Sequence, residues 1–303
     1  MNNSLVNLLK PQPAGNGHFT GKPGPAAGLR MFGGQAIAQA LMAASLEEDG
    51  ERLAHSLHCY FLKAGHADKS VDYLVTHLTS GRSFSTRRVE AMQDETVIFS
   101  MIASFQTPEI GFMHQDDARD VPHVDHASAA LESWLQQNED SPIRTMIDRM
   151  TQRPIEIIPL DPSALWGNAP QEPKAGAWMR MREPAHAGPQ MNRALLSYAS
   201  DMLFLRNAMM PHGLRPGSRQ VQAASLDHAI WLHETPDFDQ WHLFQMDSPW
   251  AGAARGLNRG HFYTQDGRMV ATVSQESLMR PHGKARERLT DQELLPSARA
   301  VER

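Results

Sequence analysis

The 303-residue sequence holds a single cysteine, Cys59, so no disulfide can close within the chain. Cys59 sits in a strand-like run, where a small buried hydrophobe is the expected role rather than a reactive thiol. No apolar run approaches the roughly 20 residues that a membrane helix requires. Positive charge is also in short supply. Lys and Arg number 29 against 34 Asp and Glu, a net charge of −5 with no basic stripe, so nucleic acid is not an expected partner. The Gly-x-Ser-x-Gly turn of a nucleophile elbow is missing. So is a phosphate-binding Gly-x-Gly-x-x-Gly, since Gly15-Asn-Gly-His-Phe-Thr-Gly21 has the wrong spacing. His114, His123 and His126 match no standard metal spacing and read as a solvated loop, so no metal and no cofactor are expected. Residues 1–11 lack a basic segment and a long apolar core, and the last residues are not a Ser-Lys-Leu address. A cytoplasmic protein is the expectation.

What is present is apolar material for a core (41% of residues) and a long internal repeat. The segment Ser225-Leu-Asp-His-Ala-Ile-Trp-Leu-His233 echoes Leu53-Ala-His-Ser-Leu-His-Cys-Tyr-Phe-Leu62 at an offset of 225 − 53 = 172. The same offset carries Gln93-Asp94 onto Gln265-Asp266 and Arg87 onto Arg259. Two copies of one supersecondary unit are therefore expected. In the first copy, Phe32-Gly-Gly-Gln35 opens a helix over residues 33–44 that is rich in small residues. Its Ile37, Ala40, Leu41 and Ala44 recur at helical spacing. Short strands are predicted near residues 5–9 and 18–22, and an antiparallel meander over 53–63, 70–78, 83–93 and 96–106. In the second copy, strands are predicted at 154–158 and 176–182. A long helix is predicted over 193–210, from Leu195, Tyr198, Met202, Leu205 and Met209 at spacings of three and four. The meander then repeats over 221–233, 240–247, 252–264 and 268–279. Between the copies, Ser128 is a plausible N-cap for a helix over residues 128–137.

A long helix wrapped by antiparallel sheet, present twice in tandem, is an α+β double hotdog. The expected boundaries are a first hotdog at 1–112, a linker at 113–150, a second hotdog at 151–283 and a charged tail at 284–303. The motifs Phe32-Gly-Gly-Gln35, His55-Ser-Leu-His-Cys-Tyr-Phe-Leu62, Ser83-Phe-Ser-Thr-Arg-Arg-Val89 and Ala103-Ser-Phe-Gln106 belong to the first half. Tyr198-Ala-Ser-Asp201, Leu226-Asp-His228, Phe262-Tyr-Thr-Gln-Asp-Gly267 and Gln275-Glu276 belong to the second. In these motifs, over about residues 30–283, the chain resembles the type II acyl-CoA thioesterases.

That resemblance implies hydrolysis of an acyl-CoA thioester to a fatty acid and CoA, with CoA entering as part of the substrate and a homo-oligomer as the assembly. It also implies a catalytic trio, which falls here on Asp201, Ser225 and Gln275. The residue chemistry is compatible with it. Without a nucleophile elbow or a Cys/His pair, an activated water is favoured, and a helix-borne Asp201 could take its proton. Ser225 and Gln275 supply a hydroxyl and an amide to orient that water. Gly34, at a helix start, could turn an N–H to the thioester oxygen, or could simply make a tight turn. Asp227 and His228 are adjacent in a strand and point to opposite faces, so they do not form a dyad. At the repeat offset, Leu53 stands opposite Ser225 and Ala103 opposite Gln275, so only the second copy carries the trio. Ile37, Leu41 and Leu57 are candidates for an acyl channel or for core. An enoyl-CoA hydratase and a non-catalytic acyl-CoA binder are the competing readings.

Overall fold

The computed structural model describes residues 4–24, 30–138, 153–163 and 169–287. The first half contains α1 (Ser4–Leu9), β1 (Gln12–Gly15), β2 (His18–Gly21), α2 (Gly33–Leu46), β3 (Leu53–Phe61), β4 (Val71–Ser80), β5 (Phe84–Gln93) and β6 (Thr96–Gln106). A helix α3 (Val124–Gln137) follows. The second half contains β7 (Ile155–Pro159), β8 (Lys174–Met181), α4 (Pro189–Ser200), a 3-10 helix (Phe204–His212), β9 (Val221–Ser225), β10 (Asp227–Leu232), β11 (His242–Gly252), β12 (Arg255–Thr264), β13 (Met269–Pro281) and α5 (Lys284–Glu287).

The strands form one antiparallel sheet in which β3 and β10 are direct neighbours, with Leu57 opposite Ile230 and Cys59 opposite His228. Read outward from that seam, the order is β3-β6-β5-β4-β2-β1 on one side and β10-β13-β12-β11-β8-β7 on the other. The two halves thus repeat each other strand for strand. The repeat survives in the strands one residue short of the sequence offset: β4 and β11 begin at 71 and 242, and β5 and β12 at 84 and 255, each 171 apart rather than 172. The helices do not keep it, because α2 and α4 begin at 33 and 189, only 156 apart. The difference is taken up by the 3-10 helix and its loop, which have no counterpart after α2.

α2 is buried from Gly34 to Ser45. Ala36, Ala38, Ala40, Ala43 and Ala44 leave little bulk on its surface, so it packs closely against the sheet and against α4. Ile37 and Leu41 meet Leu57, Phe99 and Phe105 in one continuous core. Truncating any of these to Ala costs about 2–5 kcal/mol. Ile37, Leu41 and Leu57 are fully enclosed. They are therefore core and not channel.

The sequence-based elements need four corrections. Residues 5–9 are helical, because Leu5 and Leu9 are one helical turn apart and both are buried. The helix expected over 193–210 is broken: α4 ends at Ser200, Leu203 adopts φ 68°, and a 3-10 helix continues. Apolar spacings of three and four fit both helix types, so the stripe hid the break. α3 starts at Val124, preceded by His123, so Ser128 lies inside it and is not its cap. The strand expected over 221–233 is divided at Leu226 into β9 and β10, both of which pair with β13.

The connection between the halves lies against the second one. Val124 and Ala127 pack with Ile158, Trp178 and Leu243, and the Trp178 indole donates to the Pro122 carbonyl at 3.0 Å. Residues 139–150 of the expected linker and 288–303 of the expected tail lie outside the described residues.

Candidate active site

The break between α4 and the 3-10 helix places Asp201. It is the C-cap residue of α4, at φ −84° and ψ −5°. The left-handed turn at Leu203, a conformation that costs a non-glycine residue energy, redirects the chain immediately after it. Asp201 therefore leaves the helical stripe and faces the start of α2. There the Gly34 N–H donates to Asp201 Oδ2 at 2.9 Å.

Two glycines make this approach possible. A Cβ on Gly34 would stand 2.4 Å from the Tyr198 carbonyl oxygen, and one on Gly33 would stand 2.7 Å from Asp201 Oδ2. The sequence offers the Gly34 N–H to a thioester oxygen; the structure gives it to the carboxylate instead.

The other trio members come from the sheet. Ser225 ends β9 with its hydroxyl beside the Asp201 carboxyl, near enough to hold that carboxyl's pKa down. Gln275 lies on β13, 1% exposed, and its Nε2 donates to Ser225 Oγ at 3.0 Å and to Ser277 Oγ at 3.2 Å. Three residues widely separated in sequence thus meet in the row Asp201, Ser225, Gln275, its Ser225–Gln275 link a hydrogen bond.

The row continues into a residue that sequence reasoning set aside. His228, buried on β10, places Nδ1 2.6 Å from Gln275 Oε1 and Nε2 2.9 Å from Ser200 Oγ. Its ring is met by Phe204, with centroids 5.9 Å apart, and its carbonyl accepts from Cys59 Sγ at 3.2 Å. The opposite-face argument holds for its neighbour: Asp227 accepts the Glu276 N–H at 2.6 Å, away from this row. The overlooked signal was that the face opposite Asp227 is the inward one.

Burial sets the protonation of both ends. It pushes the Asp201 carboxyl up to about 7, with the Gly34 N–H and the Ser225 hydroxyl pulling the other way. It pushes His228 down to about 4, against the opposing pull of Gln275, so the ring is neutral at pH 7. Cys59 is buried, and its thiol is pushed well up by that burial and by the nearby Asp201 and Asp227.

Asp201 and Ser225 face a cavity of about 760 Å³. Phe32, Phe61, Ile98, Phe99 and Leu205 give it apolar walls. Arg30, Lys63 and Arg153 add positive charge to its lining. Such a space can take an apolar chain and an anionic group together, with a carboxylate of raised pKa between them. Elsewhere, His114 lies in an exposed loop, while His123 and His126 are exposed at the start of α3. No helix among the described residues is long and apolar enough to cross a membrane.

Comparison with known proteins agrees with this geometry. Residues 164–278 match the family described as acyl-CoA thioesterase, and residues 22–106 match the acyl-CoA thioesterase N-terminal domain. Human acyl-coenzyme A thioesterase 8 is 34% identical over 91% of this chain and 88% of its own length. The crystal structure of an acyl-CoA thioesterase II from Mycobacterium marinum is 32% identical and superposes with a TM-score of 0.74, over 92% of this chain and 99% of that one. A protein of unknown function with a hot dog fold from Alicyclobacillus acidocaldarius has a TM-score of 0.73 over 92% and 99% of the two chains. At 18% identity it speaks for the fold alone. The fold is thus of hotdog type, and the chain belongs to the type II acyl-CoA thioesterase family.

Proposed function

We propose that this protein hydrolyses acyl-CoA thioesters with a water molecule activated by Asp201. The observation that carries the reading is the row Asp201, Ser225, Gln275, opening at its Asp201 end onto the apolar, basic-lined cavity. The acyl chain lies along the Phe32, Phe61 and Phe99 walls, and Arg30, Lys63 and Arg153 hold the CoA phosphates. Water stands between Asp201 and the thioester carbonyl. Ser225 gives its proton to Asp201 and receives one from Gln275, and its remaining lone pair accepts from the water.

Asp201 removes a proton from that water as its oxygen bonds to the carbonyl carbon. The tetrahedral adduct then collapses, breaking the carbon–sulfur bond. The same proton passes from Asp201 to the departing sulfur, giving a carboxylic acid and free CoA. A carboxyl near 7 suits both steps, because it lies between the ordinary carboxylate range and a thiol at roughly 8.5. Gly34 serves by holding Asp201 at the mouth of the row.

The two matching half-sheets, each with its own helix, are read as a double hotdog, with boundaries near residues 112 and 151 and one catalytic row per chain. A cytoplasmic homo-oligomer completes the reading. The hydratase alternative wants an Asp/His pair at the substrate, whereas His228 is engaged by Gln275 and Ser200.

The test is CoA release, followed with a thiol reagent over a panel of acyl-CoAs. The wild-type protein should release CoA, and Asp201→Asn should be slower by about 10²–10⁴-fold. No CoA release from any acyl-CoA, or a loss of enoyl absorbance in its place, overturns the proposal.

A further inference from the structure

We propose that His228 is a positioning residue for hydrolysis: it fixes the Gln275 side-chain amide so that both amide hydrogens point at Ser225 and Ser277, and so directs the Ser225 hydroxyl onto Asp201. This inference rests on the reading of Asp201, Ser225 and Gln275 as the catalytic row.

Gln275 has one acceptor and one donor end, and the two are distinguished by their partners. One end stands 2.6 Å from His228 Nδ1. That separation suits a short N–H···O bond, and it is too close for an amide nitrogen facing a ring nitrogen. Gln275 Oε1 is therefore the end that faces the ring, and Nδ1 carries the proton. The neutral ring must then accept at Nε2, and Ser200 Oγ, 2.9 Å away, is the donor. Ser200 also stands 2.8 Å from the Ser197 carbonyl, so its single proton has a second resting place if the ring is ever charged.

With Oε1 held by His228, Gln275 Nε2 must face Ser225 at 3.0 Å and Ser277 at 3.2 Å. Ser225 Oγ then accepts from the amide, and its own proton is left for Asp201. Every donor in the row Ser200, His228, Gln275, Ser225 points the same way, and the row ends on the carboxylate. Without the ring N–H, the amide is free to turn over. Oε1 would then attract the Ser225 proton, and Asp201 would lose one of the two donors that restrain its rise in pKa.

No surrounding group replaces His228 in this role. Phe204 meets the ring through carbon only, and Cys59 bonds the His228 carbonyl and not the imidazole. The residue equivalent by the strand register is Leu57, since His228 stands beside Gln275 across β10 and β13 as Leu57 stands beside Ala103 across β3 and β6. The half that lacks the trio thus also lacks the imidazole.

The test uses the full chain and an acyl-CoA that the wild type turns over. His228→Phe keeps the ring shape and removes both nitrogens. We expect kcat to fall by about 10- to 100-fold with KM within about threefold, and the acid limb of the kcat profile to move to higher pH. His228→Asn returns a donor near the Nδ1 position and should recover most of kcat and restore the limb. In the double variant His228→Phe/Gln275→Ala, kcat should be no lower than in Gln275→Ala alone.

A folded His228→Phe protein with wild-type kcat and an unmoved acid limb overturns the proposal, as do losses that multiply in the double variant. If His228→Phe does not fold, nitrogen NMR on labelled wild type decides, with the His228 signals assigned by their absence in His228→Asn. The proton on Nδ1 is expected, and a ring protonated on Nε2 overturns the proposal. Failure of the underlying reading looks different: Gln275→Ala alone would then keep full kcat, which removes the row itself and this inference with it.

Discussion

The Gly34 N–H donates to Asp201 Oδ2 at 2.9 Å, and this one bond ties the start of α2 to the end of α4. It joins residues 167 positions apart in sequence, at the carboxylate proposed as the base. Gly34→Ala tests the bond directly, because its Cβ would meet the backbone oxygen of Tyr198 at 2.4 Å and force α2 away. We expect kcat to fall by about 100-fold, the typical consequence of a 1 Å misplacement in an active site. Steady-state kinetics on the folded variant, with circular dichroism to check folding, gives the answer. Undiminished kcat would mean that the bond is incidental.

The acid limb of the reaction should report Asp201. The working form is the carboxylate, and burial has raised its pKa to about 7. The rate should therefore climb with pH through about 7 and level off above it, falling close to tenfold per unit below. Measuring kcat/KM between pH 5 and 9 checks this. A profile that is flat from pH 5 to 8 excludes Asp201 as the base.

The same shift has a consequence for stability. Asp201 titrates at 3.8 in an ordinary setting and about 7 here, so the folded state holds the proton more tightly than the unfolded one. That contribution is fully present below 3.8 and is lost as pH rises through about 7. Asn at this position carries no such burden and can still accept the Gly34 N–H. Asp201→Asn should therefore be more stable than wild type at pH 8 and about equal to it at pH 4. The shift bounds the gain at about 4 kcal/mol, and the cavity beside the carboxylate should cut it to about 2 kcal/mol. Urea unfolding at the two pH values measures it. A variant less stable than wild type at pH 8 would show that the carboxylate is a structural asset.

These predictions depend on features of uneven legibility. The β4, β5 and β6 meander could be read directly, because Val71, Tyr73 and Val75, or Val89 and Ala91, alternate with exposed or partly exposed residues along a half-buried sheet. Asp201 could be named from its motif. Its place could not, because the stripe from Leu195 to Met209 continues through the break at Leu203, and a backbone angle leaves no periodic trace. The Gly34 bond was hidden for a related reason: a backbone donor has no residue type to read. His228 carried the opposite difficulty. Its alternation with Asp227 was visible, but the inward face became informative only once Gln275 and Ser200 were known to lie there.

Cys59 should be dispensable for turnover. It is buried beneath the β3–β10 seam, and its thiol is pushed well above the range in which a thiolate forms near neutral pH. Cys59→Ala should keep kcat within about threefold and lose about 1 kcal/mol of stability, from a small cavity and the lost bond to the His228 carbonyl. The native protein should likewise leave thiol reagents unreacted, which keeps the CoA-release assay free of background. Rapid labelling of the folded protein together with inactivation would restore the case for covalent catalysis.

The halves should divide the work, with one catalytic centre per chain. By the strand register, Gln275 corresponds to Ala103, Ser225 to Ala54 and His228 to Leu57. Across the helix offset of 156, Asp201 corresponds to Ser45, which is buried and returns its hydroxyl to the Leu41 carbonyl at 2.8 Å. Every polar member of the row is therefore replaced in the first half, and the carboxylates at its helix end are engaged elsewhere: Glu47, the C-cap of α2, by His77, and Glu48 by Arg87 and Ser85. Ala103 is fully enclosed among core residues. Ala103→Gln should then overpack the core, costing about 1–3 kcal/mol, and should add no turnover. Titration with a non-hydrolysable acyl-CoA analogue should reach one equivalent per chain in the wild type and in this variant alike. Two equivalents per chain, both displaced by substrate and both lost in kinetic step with occupancy, would refute the division. In that case the first half would have to bind and turn over substrate without Asp, Ser or Gln, and the whole assignment of the second half would lose its internal control.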